Sequence, residues 1–337
     1  DSISSLKGAD RVRKRPGVIF GSDGLDGCQH SVFEILSNAI DEAREGYGKL
    51  ITLTRYADKS IEVEDFGRGC PLDWNANEKR YNWELVFCEL YAGGKYKNND
   101  GENYEYSLGL NGLGSCATQY ASEYMNVTVW RDGNRYDLSF KKGKPVGKKG
   151  QELKVSPSDR KKTGTTIRWR PDLDVFTDID IPEEYFRDVL HRQAVVNAGV
   201  TFRFRNQNGN KFDVVYRVKR ERDVTLTDSI RYQYVFERIS FGNVYIDVSK
   251  NIINRDYSVD ISGEFSKFES DIEDYSAYID QSKDEFEQSL VKNKLYFKVY
   301  ASEKSETPLF SCVIYDDDTP LEQFAFRLPD DEYIRQP

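Results

Sequence analysis

The chain has 337 residues, a length that predicts two domains, and its 48 Lys and Arg against 57 Asp and Glu give a net charge of −9. That balance excludes a surface given over entirely to nucleic-acid backbone, though not a local basic patch. Apolar residues make up 38% of the chain, with 22 Tyr and 19 Phe, which is enough to build cores and excludes global disorder. No apolar run reaches membrane-spanning length, and the polar opening Asp1–Asp10 does not read as a signal peptide. The five cysteines (Cys28, Cys70, Cys88, Cys116, Cys312) are scattered and never form Cys-x-x-Cys. They are read as reduced packing residues of a cytoplasmic protein, with no zinc site. The missing start methionine and the polar tail are those expected of a portion of a longer protein.

In chain order, Asp1–Asp10 reads as an arm, and Arg11–Arg15 as a basic turn that is either solvated or in contact with a phosphate or an acidic partner. A Gly/Asp-rich loop, Ser22–Gly27, precedes a helix over Ser31–Glu45. Val32, Leu36, Ala39 and Ala43 mark its apolar face, and Glu34, Asn38 and Asp41 mark the opposite face. A carboxylate one turn before an amide suits a base-plus-metal arrangement, and it is equally what a solvated face looks like. Glycines at Gly46–Gly48 stop the helix. Leu50–Tyr56 and Ser60–Asp65 alternate as a hairpin, with Asp65 at the strand end before Phe66-Gly67-Arg68-Gly69, where a ligand contact and a turn cap are equally good readings. Trp83–Tyr91 reads as a helix. The glycine-rich run from Ala92 to Gly114 is either a flexible linker or a lid that orders on a ligand. Its end leads into a helix over Ser115–Ala121, where backbone N–H groups can face an anion. It is neither a Walker loop nor a dinucleotide fingerprint.

A second hairpin, Met125–Arg131 with Arg135–Phe140, turns at Asp132-Gly133. Lys141–Lys162 is expected to be an exposed basic loop, and Thr163–Trp169 a strand. Pro182 opens a helix over Glu183–Asn197, in which His191 is read as structural. Val200–Asn206 and Phe212–Val218 form a further hairpin. Beyond residue 220 the strand candidates are Arg231–Ile239, Asn243–Val248, Leu295–Ala301 and Leu309–Tyr315, around an acidic aromatic stretch, Glu264–Leu290, read as a solvated insertion.

Taken together, RVRKRPG (11–17), VFEILSNAIDEA (32–43), VEDFGRGCP (63–71), YAGGKY (91–96), GLNGLG (109–114) and KKTGTTIRWRPD (161–172) resemble, in order and spacing, the GHKL ATPases. Within that group the resemblance is to the ATPase domain of bacterial type II DNA topoisomerase B subunits, and it covers residues 3–205. It implies an α+β fold with a mixed sheet covered by helices over 1–205, an ATP lid at 91–115, and a smaller α+β transducer-like domain over 206–337. It implies ATP and Mg²⁺ as cofactors, an ATP-dependent homodimer, a topoisomerase A-type subunit and double-stranded DNA as partners, and inhibitors of the ATP site as further ligands. By resemblance, Glu34 is the general base and His30 tunes it. Asn38 holds Mg²⁺, Asp65 accepts the adenine amino proton, and Thr165 supports that edge. Arg68, Gly69 and Pro71 wall the base. Lys95 and the run Gly109, Leu110, Asn111, Gly112, Leu113 and Gly114 cradle the phosphates. Asp41 and Glu42 are read as support. Asn111 stands where the family has histidine, and Ser37 where it often has Asp. The only triplet similar to the family's Gln-Thr-Lys loop is Gln281-Ser282-Lys283, and its flanks do not match. Rival readings are a non-catalytic ATP-sensing dimerisation module, and a mismatch-repair or chaperone member of the GHKL group, against which RVRKRPG and YAGGK speak.

Overall fold

The computed structural model describes residues 6–90 and 114–209 and, between 212 and 327, the strands given below. The chain divides into two compact units, Asp1–Phe186 with Asn206–Asn210, and Arg187–Arg205 with Lys211–Pro337. No helix among the described residues is long and apolar enough to cross a membrane.

The first unit opens with α1 (Asp10–Arg13), α2 (Pro16–Phe20) and the twenty-residue α3 (Leu25–Arg44). α3 starts six residues before the sequence reading places it. Gly27 allows this, because a Cβ there would collide with the Ser22 carbonyl, so the loop folds back directly onto the helix start. The C-terminus closes as a Schellman motif: Tyr47 N donates to Glu42 O, Gly46 N donates to Ala43 O, and Gly46 sits at φ 92°. Next come β1 (Leu50–Tyr56), β2 (Ile61–Asp65), the small ribbon β3 (Trp74–Asn75) and β4 (Arg80–Tyr81), α4 (Asn82–Cys88) and α5 (Gly114–Tyr120). They are followed by β5 (Ser122–Arg131), β6 (Asn134–Lys141), β7 (Lys144–Pro145), β8 (Lys154–Pro157) and β9 (Gly164–Pro171).

The strands lie in the order β1-β2-β9-β5-β6, with β7 and β8 both on β6, through antiparallel pairings. Burial alternates along β2 and β9, so one face of the sheet supplies the core. Val63, Met125, Val127, Ile167 and Trp169 from the sheet are buried, as are Cys28, Val32, Leu36 and Ala39 from α3. Each large apolar side chain removed from water contributes ~1.5–3 kcal/mol. Cys28, Cys88 and Cys116 are free, with burial pushing their thiols up to about 12, as packing residues should be.

Two expectations are corrected here. Arg13 is neither solvated nor turned to a phosphate: it donates to Tyr120 O at 2.9 Å and pairs with buried Asp172 at 2.5 Å, tying α1 to the end of α5. Lys141–Lys162 is exposed as expected, but it is not only loop. It contains β7 and β8, held on β6 by backbone pairing that its polar composition does not announce.

The second unit takes up most of α6 (Glu183–Val196), from Arg187, and of β10 (Thr201–Gln207), to Arg205; His191 of α6 is buried with its ring 5.6 Å from that of Tyr216, a structural role as read. Then follow β11 (Phe212–Asp223), β12 (Ser229–Phe241), β13 (Val244–Asn251), β14 (Tyr257–Phe265) and β15 (Ser270–Tyr278), each antiparallel to the one before from β12 onward. A separate antiparallel set contains β16 (Glu285–Lys292), β17 (Leu295–Ser302), β18 (Leu309–Asp316) and β19 (Thr319–Arg327). The acidic stretch is not without regular structure. Its Ile and Tyr residues favour strand, and it supplies β15 and much of β16. No further helix follows α6 among the described residues.

Candidate functional site

The site is built along α3. At one end, β2 finishes at Asp65, and its Oδ1 accepts Gly67 N at 2.8 Å and Thr165 N at 3.4 Å. The turn is cross-tied. Cys70 N donates to Thr165 Oγ1 at 2.9 Å, Thr163 Oγ1 donates to Gly67 O at 2.6 Å, and Arg131 Nη1 donates to Gly69 O at 2.9 Å. Gly69 is demanded sterically, since at φ 85° a Cβ would lie 2.9 Å from Trp130 O, and a Cβ on Gly67 would press on the Glu42 carboxylate at 2.9 Å. Glu42, from α3, accepts from Arg68 N, Nε and Nη2 at 3.1, 3.1 and 2.8 Å, and the guanidinium lies 4.2 Å over the Tyr47 ring. Burial pushes the Asp65 carboxyl up to about 6, against the two backbone N–H bonds that pull it down.

The other end is more open. His30 Nε2 lies 3.1 Å from Glu34 Oε1 and Nδ1 lies 3.3 Å from Phe20 O, so the imidazole holds the Glu34 carboxylate in place. Asn38 Nδ2 donates to Ser115 Oγ at 3.0 Å and to Glu34 O at 3.3 Å. With Nδ2 committed, the amide oxygen is the atom Asn38 can offer a cation. The first turn of α5 rests on Glu34, because a Cβ on Gly114 would collide with Glu34 Oε2. Glu34 and Glu42 are eight residues apart on one helix, so the two ends stand ~12 Å from one another.

The structure thus brings together His30, Glu34, Asn38 and Gly114 at one end, and Asp65, Arg68, Gly69 and Thr165 at the other, with Pro71 exposed just beyond. Lys95, Gly109, Leu110, Asn111, Gly112 and Leu113 lie outside the described residues, as does Gln281-Ser282-Lys283. Asp41 is corrected: it is 6% exposed and does not share the open face with Glu34 and Asn38. The residue that continues the His30, Glu34, Asn38 steps of four is Glu42, which the sequence reading takes as support and which holds Arg68 here. Among the described residues no three His, Cys, Asp or Glu side chains cluster as a metal site.

Helices packed on a sheet, with a buried strand-end carboxylate beside a glycine turn and an open acid–amide stripe above it, make this an α+β GHKL-type sandwich. The chain is 38% identical over 210 residues to the mitochondrial DNA gyrase B subunit of Arabidopsis thaliana, covering 62% of this chain and 28% of that protein. It is 37% identical over 212 residues to the DNA gyrase B subunit of Thermotoga maritima, covering 63% and 32%. Over 176 residues it is 41% identical to the B subunit of DNA topoisomerase 4 from Staphylococcus epidermidis, covering 52% and 25%. No family model matches the chain. The chain carries a gyrase B-like domain, similar to the B subunits of these type II DNA topoisomerases, and it spans about a third or less of the length of these relatives.

Proposed function

We propose that this domain binds and hydrolyses ATP, and that ATP pairs two copies into a clamp that captures a DNA duplex for strand passage by a type II topoisomerase. The observation that carries the reading is a site with two ends along α3, the buried acceptor Asp65 at the end of β2 beside Glu42 and the open base Glu34 about two turns earlier on the helix.

The residues present fit the nucleotide. Asp65 Oδ1 is taken by two backbone N–H groups, leaving Oδ2 to accept a proton from the amino group of adenine. They also fit Mg²⁺, which keeps several waters, takes phosphate oxygens and needs only one or two protein oxygens, here the amide oxygen of Asn38. When bound, Mg²⁺ neutralises charge on the phosphates. Glu34 takes the proton of the attacking water, and His30 fixes the carboxylate that does so. Arg68, Gly69, Pro71 and Thr165 shape the base end. Lys95 and Gly109–Gly114 contribute to the phosphates as the lid at 91–115. Residues 206–337 serve as the transducer-like domain, and the partners are a second copy, an A-type subunit and double-stranded DNA, in the cytoplasm.

The test is titration of the chain with a non-hydrolysable ATP analogue and Mg²⁺, with sedimentation and steady-state turnover of ATP on the same preparation. Binding, dimerisation and slow turnover are expected. No binding overturns the reading, and binding with dimerisation but no turnover replaces it with an ATP-sensing module.

A further inference from the structure

The segment Arg131–Arg170 holds thirteen Lys and Arg against four Asp and Glu, a net +9 within a chain of net −9. Most of this excess lies on the β6–β8 edge. Lys141, Lys144, Lys148, Lys149, Lys154 and Lys161 are all exposed, and none is in an ion pair among the described residues. The β6–β7 turn is held rigidly. Lys142, at φ 49°, pairs with Asp174 at 2.5 Å, and Gly143, at φ 81°, backs onto Ala9, where a Cβ would lie 2.6 Å from the alanine methyl. That fixed turn sets Lys141 directly opposite Lys144 in the register. Like charges facing each other across a pair of strands are destabilising unless something anionic sits over them. A lysine or two on an outer strand suffices to guard it against strand addition. Such guarding explains neither the facing pair nor Lys148 and Lys149, which lie between the strands rather than on them.

We infer that this edge is a landing surface for the phosphate backbone of a nucleic-acid duplex, read without regard to sequence. Duplex DNA carries one charge per ~1.7 Å of axis, which suits an edge dense in exposed lysines. Lysine is a hydrated point charge, suited to phosphate rather than to two-pronged base reading. A lipid surface is the poorer match: the exposed apolar side chains here are Val146 and Val155, with no aromatic or long apolar group to enter a bilayer. The inference deepens the DNA-capture part of the proposed function and is independent of its nucleotide site.

The test uses the full chain and a short fluorescein-labelled duplex, with binding followed by anisotropy across a salt series. Neutralising the edge (Lys148→Gln, Lys149→Gln, Lys154→Gln) should lower low-salt affinity at least ~10-fold and flatten the slope of log K against log salt by about 2–3, since each phosphate contact contributes ~0.9. A control of equal charge change at exposed positions elsewhere (Lys7→Gln, Lys49→Gln, Lys79→Gln) should bind as the parent does. Binding of an ATP analogue, measured on all three proteins, should be unchanged, and this separates a failure here from a failure of the nucleotide site. The inference is overturned if the parent does not bind the duplex, if the edge variant binds as the parent does, if the control loses as much, or if phosphatidylserine vesicles bind and the duplex does not.

Discussion

The two ends of the α3 stripe are built to different standards. At the Asp65 end nearly every polar group has a partner within the protein: two N–H groups on Oδ1, Thr165 tied to Cys70, and Glu42 locked to Arg68. At the Glu34 end the contacts are few, and the His30 and Glu34 side chains are 46% and 30% exposed. On the proposed function, the difference separates recognition from chemistry. A group that selects a ligand gains from being fixed beforehand, whereas a base must meet a water that arrives with the substrate.

The largest effect should come from breaking the open end. Glu34→Ala should lower ATP turnover by ~10²–10⁴-fold, the usual worth of a positioned base, while a binding titration of an ATP analogue changes little. Parallel losses in turnover and affinity would mean that Glu34 serves binding instead. At the fixed end the split should reverse. Asp65→Asn keeps the acceptor for Gly67 and Thr165 but turns an amide donor outward. Analogue affinity should therefore fall ~10–100-fold, the range for losing a hydrogen bond to a charged group. The same variant should melt higher than the parent at neutral pH, because it removes a buried carboxylate whose ionisation burial opposes. A stabler protein that binds worse marks strain kept for function.

Most of this contrast is legible in the sequence, because glycines and acids mark it. Gly67, Gly69 and Gly114 occupy places where a Cβ collides, so their spacing from Glu34 and Asp65 carries geometry directly. Asp41 is misplaced by the sequence reading because spacing sets an angle around the helix axis but not what covers the helix at that height. Next to the Gly67–Gly69 turn it is Glu42 that meets Arg68, and Asp41 is buried. Arg13 is unreadable for another reason: its partner Asp172 lies 159 residues away. The lysine-rich segment shows its exposure in its composition, but nothing local shows that Lys141 and Lys144 face each other, since that follows from strand register.

Smaller, and specific to the fixed end, is the effect of pH. The Asp65 carboxyl titrates at about 6 in the folded chain, above the ~3.9 of an unfolded aspartate. Between those values the folded state holds the proton that the unfolded state has lost, so ligand-free stability falls as pH rises from about 4 to 6 and then levels off. For binding the sign is opposite. Below pH 6 the outward oxygen becomes a donor facing a donor, and analogue affinity should fall about tenfold between pH 7.5 and pH 5. Asp65→Asn should flatten that dependence, and a variant that retains it would place the titrating group elsewhere.

The smallest effect tests whether the fixed end depends on its outermost contact. Arg68 is bonded to Glu42 and Glu45, but its side chain is 44% exposed, and exposed pairs contribute ~0–1 kcal/mol even when the geometry is good. Arg68→Ala leaves the Arg68 backbone N–H on Glu42 and all the Asp65 and Thr165 bonds in place. Analogue affinity should therefore drop only a few-fold, and the thermal midpoint should barely move. A loss as large as that of Asp65→Asn would show that the guanidinium touches the ligand itself. The line between recognition and support would then run through Arg68 rather than between it and Asp65.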